Sequence, residues 1–326
     1  MVNKAVDDLT ASSSFNTTNL RYLVQGYILS CRCEGKSPAT IHYYEGMLRR
    51  FLSFCNENHY PQDPQQLTSH LIWQFLWYVA SESTRWNGGS TTARKPATMS
   101  TVAHYYRVLH TFFMWLVKEG IITDNPMAHI KRPKDERKVV QALTPYEIRR
   151  LLDYLPSKTF LGVRNRAIVM MLIDTGMRVS ELANLMLADI DNMTGSILVR
   201  QGKGNKQRIV RIGSKSQKAL WQYATLHRRG NSDKLFTDAS GEPLGAGAIK
   251  LMIRRLGKMA GLDGVHVHRL RHTFAISYLR AGGDVFSLQY LLGHSTLAMT
   301  QRYLQSLNAD GAIKAHKRFS PLDNLK

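Results

Sequence analysis

The chain has 326 residues, a length that suits two domains, with 44% hydrophobic residues to fill their cores. It carries 44 Lys and Arg against 24 Asp and Glu, a net charge of +20, which points to a polyanionic partner, nucleic acid first; the plain alternative is a solubility device or ribosome association. No apolar run of about 18 residues predicts a membrane span, the N-terminus lacks the apolar core of a secretion signal, and Cys31, Cys33 and Cys55 lack paired metal spacing and read as reduced thiols of a cytoplasmic protein.

In chain order, residues 1–19 read as a flexible arm. Leu20 to Cys33 is apolar-periodic. Ser37 and Pro38 then restart a helix as N-cap and first-turn proline, followed by Ile41, Tyr44, Met47, Leu48, Phe51 and Leu52 at spacings of three and four. Thr68 opens a third helix. Arg85 to Pro96 reads as a loop in which Arg94 and Lys95 are candidate DNA contacts. A fourth helix covers about Met99 to Glu119 and stops at Gly120. These segments predict a helical bundle over 20–128. The charged stretch 129–143 reads as a linker whose Lys131 and Arg132 either follow a DNA backbone or are simply solvated.

A second domain is predicted over 144–304. It opens at Thr144-Pro-Tyr-Glu147, a capping box with Pro inside it, and continues with a helix from about Val163 to Asp174, stopped at Gly176. Ser196 to Arg200 and Gln207 to Ile212 form a β-hairpin whose tip, 202–206, is glycine-rich and basic. The remainder is mainly helical. The fold class is therefore mainly α with a small β-hairpin or sheet, an α+β arrangement. The charge is uneven: residues 1–139 hold 16 basic and 11 acidic side chains, and residues 140–326 hold 28 and 13, so the second domain is the expected seat of phosphate contact.

Four stretches of that domain carry candidate chemistry. In the segment 174–182, Gly176 permits a tight turn that sets Arg178 at the entrance of a new helix, a ready anion site. The hairpin tip offers Lys203 and Lys206 beside glycines. The segment 265–275 holds two overlapping pairs, His266/Arg269 and His268/Arg271, each three apart and so on one helical face. Gly293 ends a helix, His294 sits at the turn, and Tyr303 follows nine residues later. Each alone also reads as ordinary surface or packing: a surface Arg after a helix end, a basic turn, a solvated His-Arg face, a half-buried tyrosine.

Together they resemble the tyrosine recombinase (phage integrase) family, whose signature is an Arg in a TGxRxxEL segment, a hairpin Lys, HxxR, a His about one helix later, and a Tyr. The resemblance is strongest over about 144–304 and implies a helical core-binding domain (SAM-like) followed by a catalytic domain that together clamp duplex DNA. It implies a metal-free, cofactor-free strand transfer. On this resemblance Tyr303 would be the nucleophile, and Arg178, Arg271 and His294 would hold the phosphate. By the same resemblance His268 would assist proton transfer, Lys203 would protonate the departing 5′ oxygen with Lys206 as the alternative, and Glu181 would position its neighbours. His268/Arg271 is preferred over His266/Arg269 because the residues that follow, Arg-His-Thr-Phe-Ala at 271–275, continue the family pattern; Arg269 then counts as a DNA-contact candidate. The implied partners are a double-stranded recombination site and a homo-tetramer on two duplexes (monomer or dimer off DNA), with residues 305–326 docking on a neighbouring protomer. The implied location is the cytoplasm, with nucleoid association when bound. A type IB topoisomerase and a catalytically silent DNA-binding protein are the rival readings.

Overall fold

The computed structural model describes residues 19–81, 97–134, 141–200 and 207–304. They form two compact units, one up to residue 134 and one from residue 141.

In the first unit, Asn19 caps α1 (Leu20–Cys33) by accepting the Arg21 N–H, and Ser37 caps α2 (Pro38–Glu57) with Pro38 in the first turn. α3 (Ser69–Ser81) and α4 (Met99–Lys118, capped by Thr98) complete the bundle. Their apolar faces close on one core in which Phe51, Phe75, Phe112 and Phe113 are wholly buried. Truncating any of these rings to Ala costs about 3–5 kcal/mol. Cys31 and Cys55 are buried in this core and Cys33 is exposed; all three thiols are free. Ile130, inside the stretch expected to be a linker, is a core residue of this unit, and its carbonyl accepts the Tyr106 hydroxyl at 2.8 Å. An apolar residue among charges marks where the chain still packs. Lys131 and Arg132, just beyond it, are exposed. Arg94 and Lys95 lie outside the described residues.

The second unit opens with the expected capping box at the start of α5 (Pro145–Asp153): the Thr144 hydroxyl accepts the Glu147 N–H, and the Thr144 N–H donates to the Glu147 carboxylate. α6 (Phe160–Thr175) begins three residues before the expected start because the Thr159 hydroxyl caps Gly162. α6 is the central helix, apolar on most sides, and packs against α8 (Ser214–Gln222) and α10 (Val267–Arg280). Between them lie α7 (Val179–Asn184), a sheet, a π-helical turn at Tyr223–His227, and α9 (Ala246–Met259). The sheet is a three-stranded antiparallel meander, β1 (Ile190–Asp191), β2 (Ser196–Val199) and β3 (Arg208–Arg211), with Ile197 paired to Ile190 on one side and Val210 on the other. The sequence suggested only the β2–β3 hairpin, since two residues are too few to show alternation. α11 (Val285–Leu292) and α12 (Leu297–Leu304) close the unit. No described helix is long and apolar enough to cross a membrane.

Candidate active site

Two glycine turns build the site. α6 ends at Gly176 with φ +60°, and a Cβ there would sit 2.3 Å from the Phe274 ring and 2.9 Å from Leu292. α11 ends at Gly293 with φ +62°. There the His294 N–H bonds the Gln289 carbonyl at 3.1 Å and the Gly293 N–H bonds the Tyr290 carbonyl at 2.9 Å, a Schellman ending that needs a left-handed residue. The next three carbonyls have no helical partner, as at any helix end, and each is taken by a guanidinium: Leu291 O by Arg208 Nε at 2.8 Å, Leu292 O by Arg271 Nη2 at 2.8 Å, and Gly293 O by Arg178 Nη2 at 2.9 Å. Cations at the negative end of a helix dipole gain about 0.3–1 kcal/mol each.

The remaining bonds fix the cluster. Arg271 also donates to Gly176 O at 2.6 Å, so it ties the two glycine turns together. Arg178 is the N-cap residue of α7; its N–H donates to Glu181 Oε2 at 2.7 Å and its Nη1 to Glu181 Oε1 at 2.8 Å. From the opposite side Arg208 forks onto the same carboxylate at 3.0 and 2.7 Å. Burial would raise the Glu181 pKa, but the hydrogen bonds from Arg208 and Arg178 outweigh it and hold the carboxyl below its usual range. Two guanidiniums are paired with this one carboxylate and Arg271 lies beside them on backbone carbonyls, leaving the cluster two charges positive. Burial, and then the neighbouring Arg178, lower the Arg271 pKa to about 10, still fully protonated at neutral pH.

Tyr303, half-buried on α12, lies against Phe274, Ala275, Leu288 and Leu292. Its ring stacks on His294, with centroids 6.2 Å apart and planes 8° from parallel, and meets His272 at 5.3 Å. Its proximity to Arg271 favours the charged form of that guanidinium. His294 Nδ1 is 2.8 Å from the hydroxyl of Thr300, which is fully buried. Burial, then Arg271 and Arg178, push the His294 pKa down to about 4. His268 projects from the first turn of α10, and partial burial, with His266 and Arg271 next, lowers its pKa as well.

The site therefore brings together Arg178, Glu181, Arg271, His294 and Tyr303, with His268 close enough to feel both arginines. The second HxxR pair is otherwise engaged. His266 precedes the helix and bonds Gly264 O at 2.7 Å, while Arg269 is spent on Gln141 O, Asp263 O and Glu147 Oε1 at 3.0, 2.7 and 3.1 Å. Arg269, a sequence candidate for DNA contact, thus braces the capping box at the start of α5. Lys203 and Lys206 lie outside the described residues. Sequence reasoning missed Arg208, His272 and Thr300. The only signal for Arg208 was its inward register on β3, two residues before buried Val210.

Comparison with known proteins identifies the family. The chain matches the phage integrase family over residues 141–309 and the phage integrase N-terminal SAM-like domain over 23–123. A tyrosine recombinase XerC from Bacillus pumilus is 36% identical over 236 residues, 70% of this chain and 77% of that protein. The chain belongs to the phage integrase family of tyrosine recombinases. A XerD from Oceanobacillus iheyensis is 30% identical over 292 residues, covering 87% of the recombinase and 93% of its relative. Two solved structures share its fold: the Tn1549 transposon integrase in complex with a circular intermediate DNA (TM-score 0.72, 19% identity, 93% of this chain and 99% of that one) and a lambda integrase dimer bound to a COC′ core site (TM-score 0.69, 21% identity, 87% and 95%). The recombinase is accordingly an enzyme of site-specific DNA recombination.

Proposed function

We propose that the recombinase cuts and rejoins duplex DNA through a 3′-phosphotyrosyl intermediate formed on Tyr303. The observation that carries this reading is the surplus of two positive charges at Arg178, Arg208, Arg271 and Glu181 beside the Tyr303 ring. Guanidinium groups held on backbone carbonyls before substrate arrives are suited to a phosphodiester, whose charge grows on the non-bridging oxygens as a fifth ligand adds. The Tyr303 oxygen bonds phosphorus and loses its proton toward His268, whose lowered pKa keeps the imidazole neutral and able to accept. The bond from phosphorus to the 5′ oxygen breaks, and that oxygen takes a proton from the hairpin lysine, Lys203 or Lys206. In this reading the Thr300 hydroxyl donates to His294 Nδ1, 2.8 Å away, so that the ring proton sits on Nε2 for a phosphate oxygen. The bond energy is retained in the phosphotyrosyl link, so a 5′-hydroxyl from a second duplex can reverse the step, giving a Holliday junction after one exchange.

The substrate in this reading is a double-stranded recombination site, in keeping with the DNA-bound integrases that share the fold. On the first unit, a hollow of about 580 Å³ lined by Tyr43, Tyr44, His104, Arg107, His110 and Arg132 offers aromatic and basic groups suited to the DNA backbone. Exchange between two duplexes requires four active sites, hence a homo-tetramer; residues 305–326, the segment expected to dock on a neighbouring protomer, lie outside the described residues. The reaction belongs in the cytoplasm, at the nucleoid when bound. The test is Tyr303→Phe: it should bind a target duplex as tightly as the parent and leave no covalent adduct. An adduct of parental yield would refute the reading.

A further inference from the structure

Arg208 is not one of the signature residues, yet its side chain is 4% exposed and all three of its nitrogens are spent inside the site: the fork on Glu181 and Nε on Leu291 O. Glu181 is the only carboxylate paired with the cluster among the described residues. A carboxylate can accept a guanidinium through both oxygens at once. Because Arg208 occupies both oxygens of Glu181 from one side, Arg178 makes a single side-chain bond to Oε1, and its Nη2 is left for Gly293 O. Removing Arg208 would let Glu181 turn wholly onto Arg178, neutralise it and draw it from the helix end. The same guanidinium pins β3 to the last turn of α11, where the Ile209 N–H also donates to the Tyr290 hydroxyl at 3.3 Å.

Resting on the phosphate-clamp reading above, we infer that Arg208 is a positioning residue that engages Glu181 so that Arg178 keeps its charge and place for the phosphate. Its role is then one of charge balance, and a second substitution can restore it. Arg208→Met removes one positive charge from the cluster; Arg208→Met with Glu181→Gln removes one of each sign and returns the surplus to two. Arg208→Lys keeps the charge and loses the fork.

The experiment measures single-turnover covalent complex formation on a nicked suicide duplex, and duplex affinity by titration, for the parent and the three variants. Arg208→Met should cleave about a hundredfold more slowly, the scale of a misplaced catalytic group, with affinity changed about threefold or less. The double variant should recover at least about tenfold of that loss, and Arg208→Lys should stay within about tenfold of the parent. If Arg208→Met fails to fold, the double variant and Arg208→Lys carry the test, since neither leaves a buried carboxylate facing an apolar group. Parental cleavage by Arg208→Met would overturn the inference. So would a double variant and a Lys variant that fold, bind DNA and cleave more than about a hundredfold more slowly than the parent. An adduct mapped to a residue other than Tyr303 in the parent would instead refute the proposed function, which separates the two failures.

Discussion

Gly293→Ala is expected to damage the site out of proportion to its size. The residue sits at φ +62°, where an L side chain costs about 1–2 kcal/mol. Its new Cβ would lie 2.8 Å from Arg208 Nη1 and 3.0 Å from Cζ, more than about half an ångström inside the ordinary contact distance of about 3.5 Å. Arg208 is wholly engaged at 2.7–3.0 Å and cannot retreat without lengthening a charged hydrogen bond, which adds about 1.5 kcal/mol or more. The total, about 3 kcal/mol, lowers the melting temperature of a unit this size by roughly 6–12 °C. Cleavage should fall about a hundredfold, because the Gly293 carbonyl also holds Arg178. Gly264→Ala is the matched control: its φ is +67° but nothing lies within 4 Å of the added Cβ, so it should show the conformational cost alone and cleave within about threefold of the parent. Thermal unfolding and single-turnover cleavage of the two variants, compared side by side, check this. If Gly293→Ala cleaved as well as Gly264→Ala, the helix-end carbonyls would not be what places the arginines.

Arg271→Ala should abolish covalent complex formation, whereas Arg269→Ala, which loses its ties to Gln141, Asp263 and Glu147, should lower the melting temperature and leave cleavage within about threefold; the reverse pattern would exchange the two HxxR pairs. The depressed pKa of His294 makes the folded state the weaker proton binder, so this residue's contribution to stability is full above the ordinary 6.5 and is lost as pH falls from there toward about 4. Melting curves across that window should be flatter for His294→Gln than for the parent, and identical slopes would count against the half-buried imidazole as their source. Cleavage should proceed in excess EDTA, because guanidinium groups do the electrostatic work of the clamp; loss of cleavage with binding intact would show that a divalent cation is required.

Much of this was legible because it is local. The capping box at Thr144–Glu147, the stops at Gly176 and Gly293, and the capped start of α2 each follow from residues within one helical turn of each other. The order of Arg178, His268, Arg271, His294 and Tyr303 was legible as a motif, though nothing in the spacing shows that three guanidiniums would converge on the last carbonyls of one short helix. Arg208 escaped notice because a charged residue on a short strand is read as facing solvent, and its partner lies 27 residues away on α7. On α3 the periodic positions Leu71, Ile72, Phe75, Leu76 and Val79 are the buried ones, and Trp73 and Trp77 lie off that face and are exposed. Arg269 is the opposite case: a basic residue beside a catalytic motif suggests substrate, and here its donors also bond Gln141, Asp263 and Glu147, which its place in the sequence does not show.

The most direct test maps the covalent bond itself. The recombinase is incubated with a nicked suicide duplex, the protein–DNA adduct is digested with nuclease and protease, and the modified peptide is sequenced by mass spectrometry. The expected product is a peptide ending its modification at Tyr303, joined to the 3′-phosphate of the cut strand, with a free 5′-hydroxyl on the released fragment. A nucleotide on any other residue, or a 5′-phosphate linkage, would contradict the assignment of Tyr303 as the nucleophile that the guanidinium cluster serves.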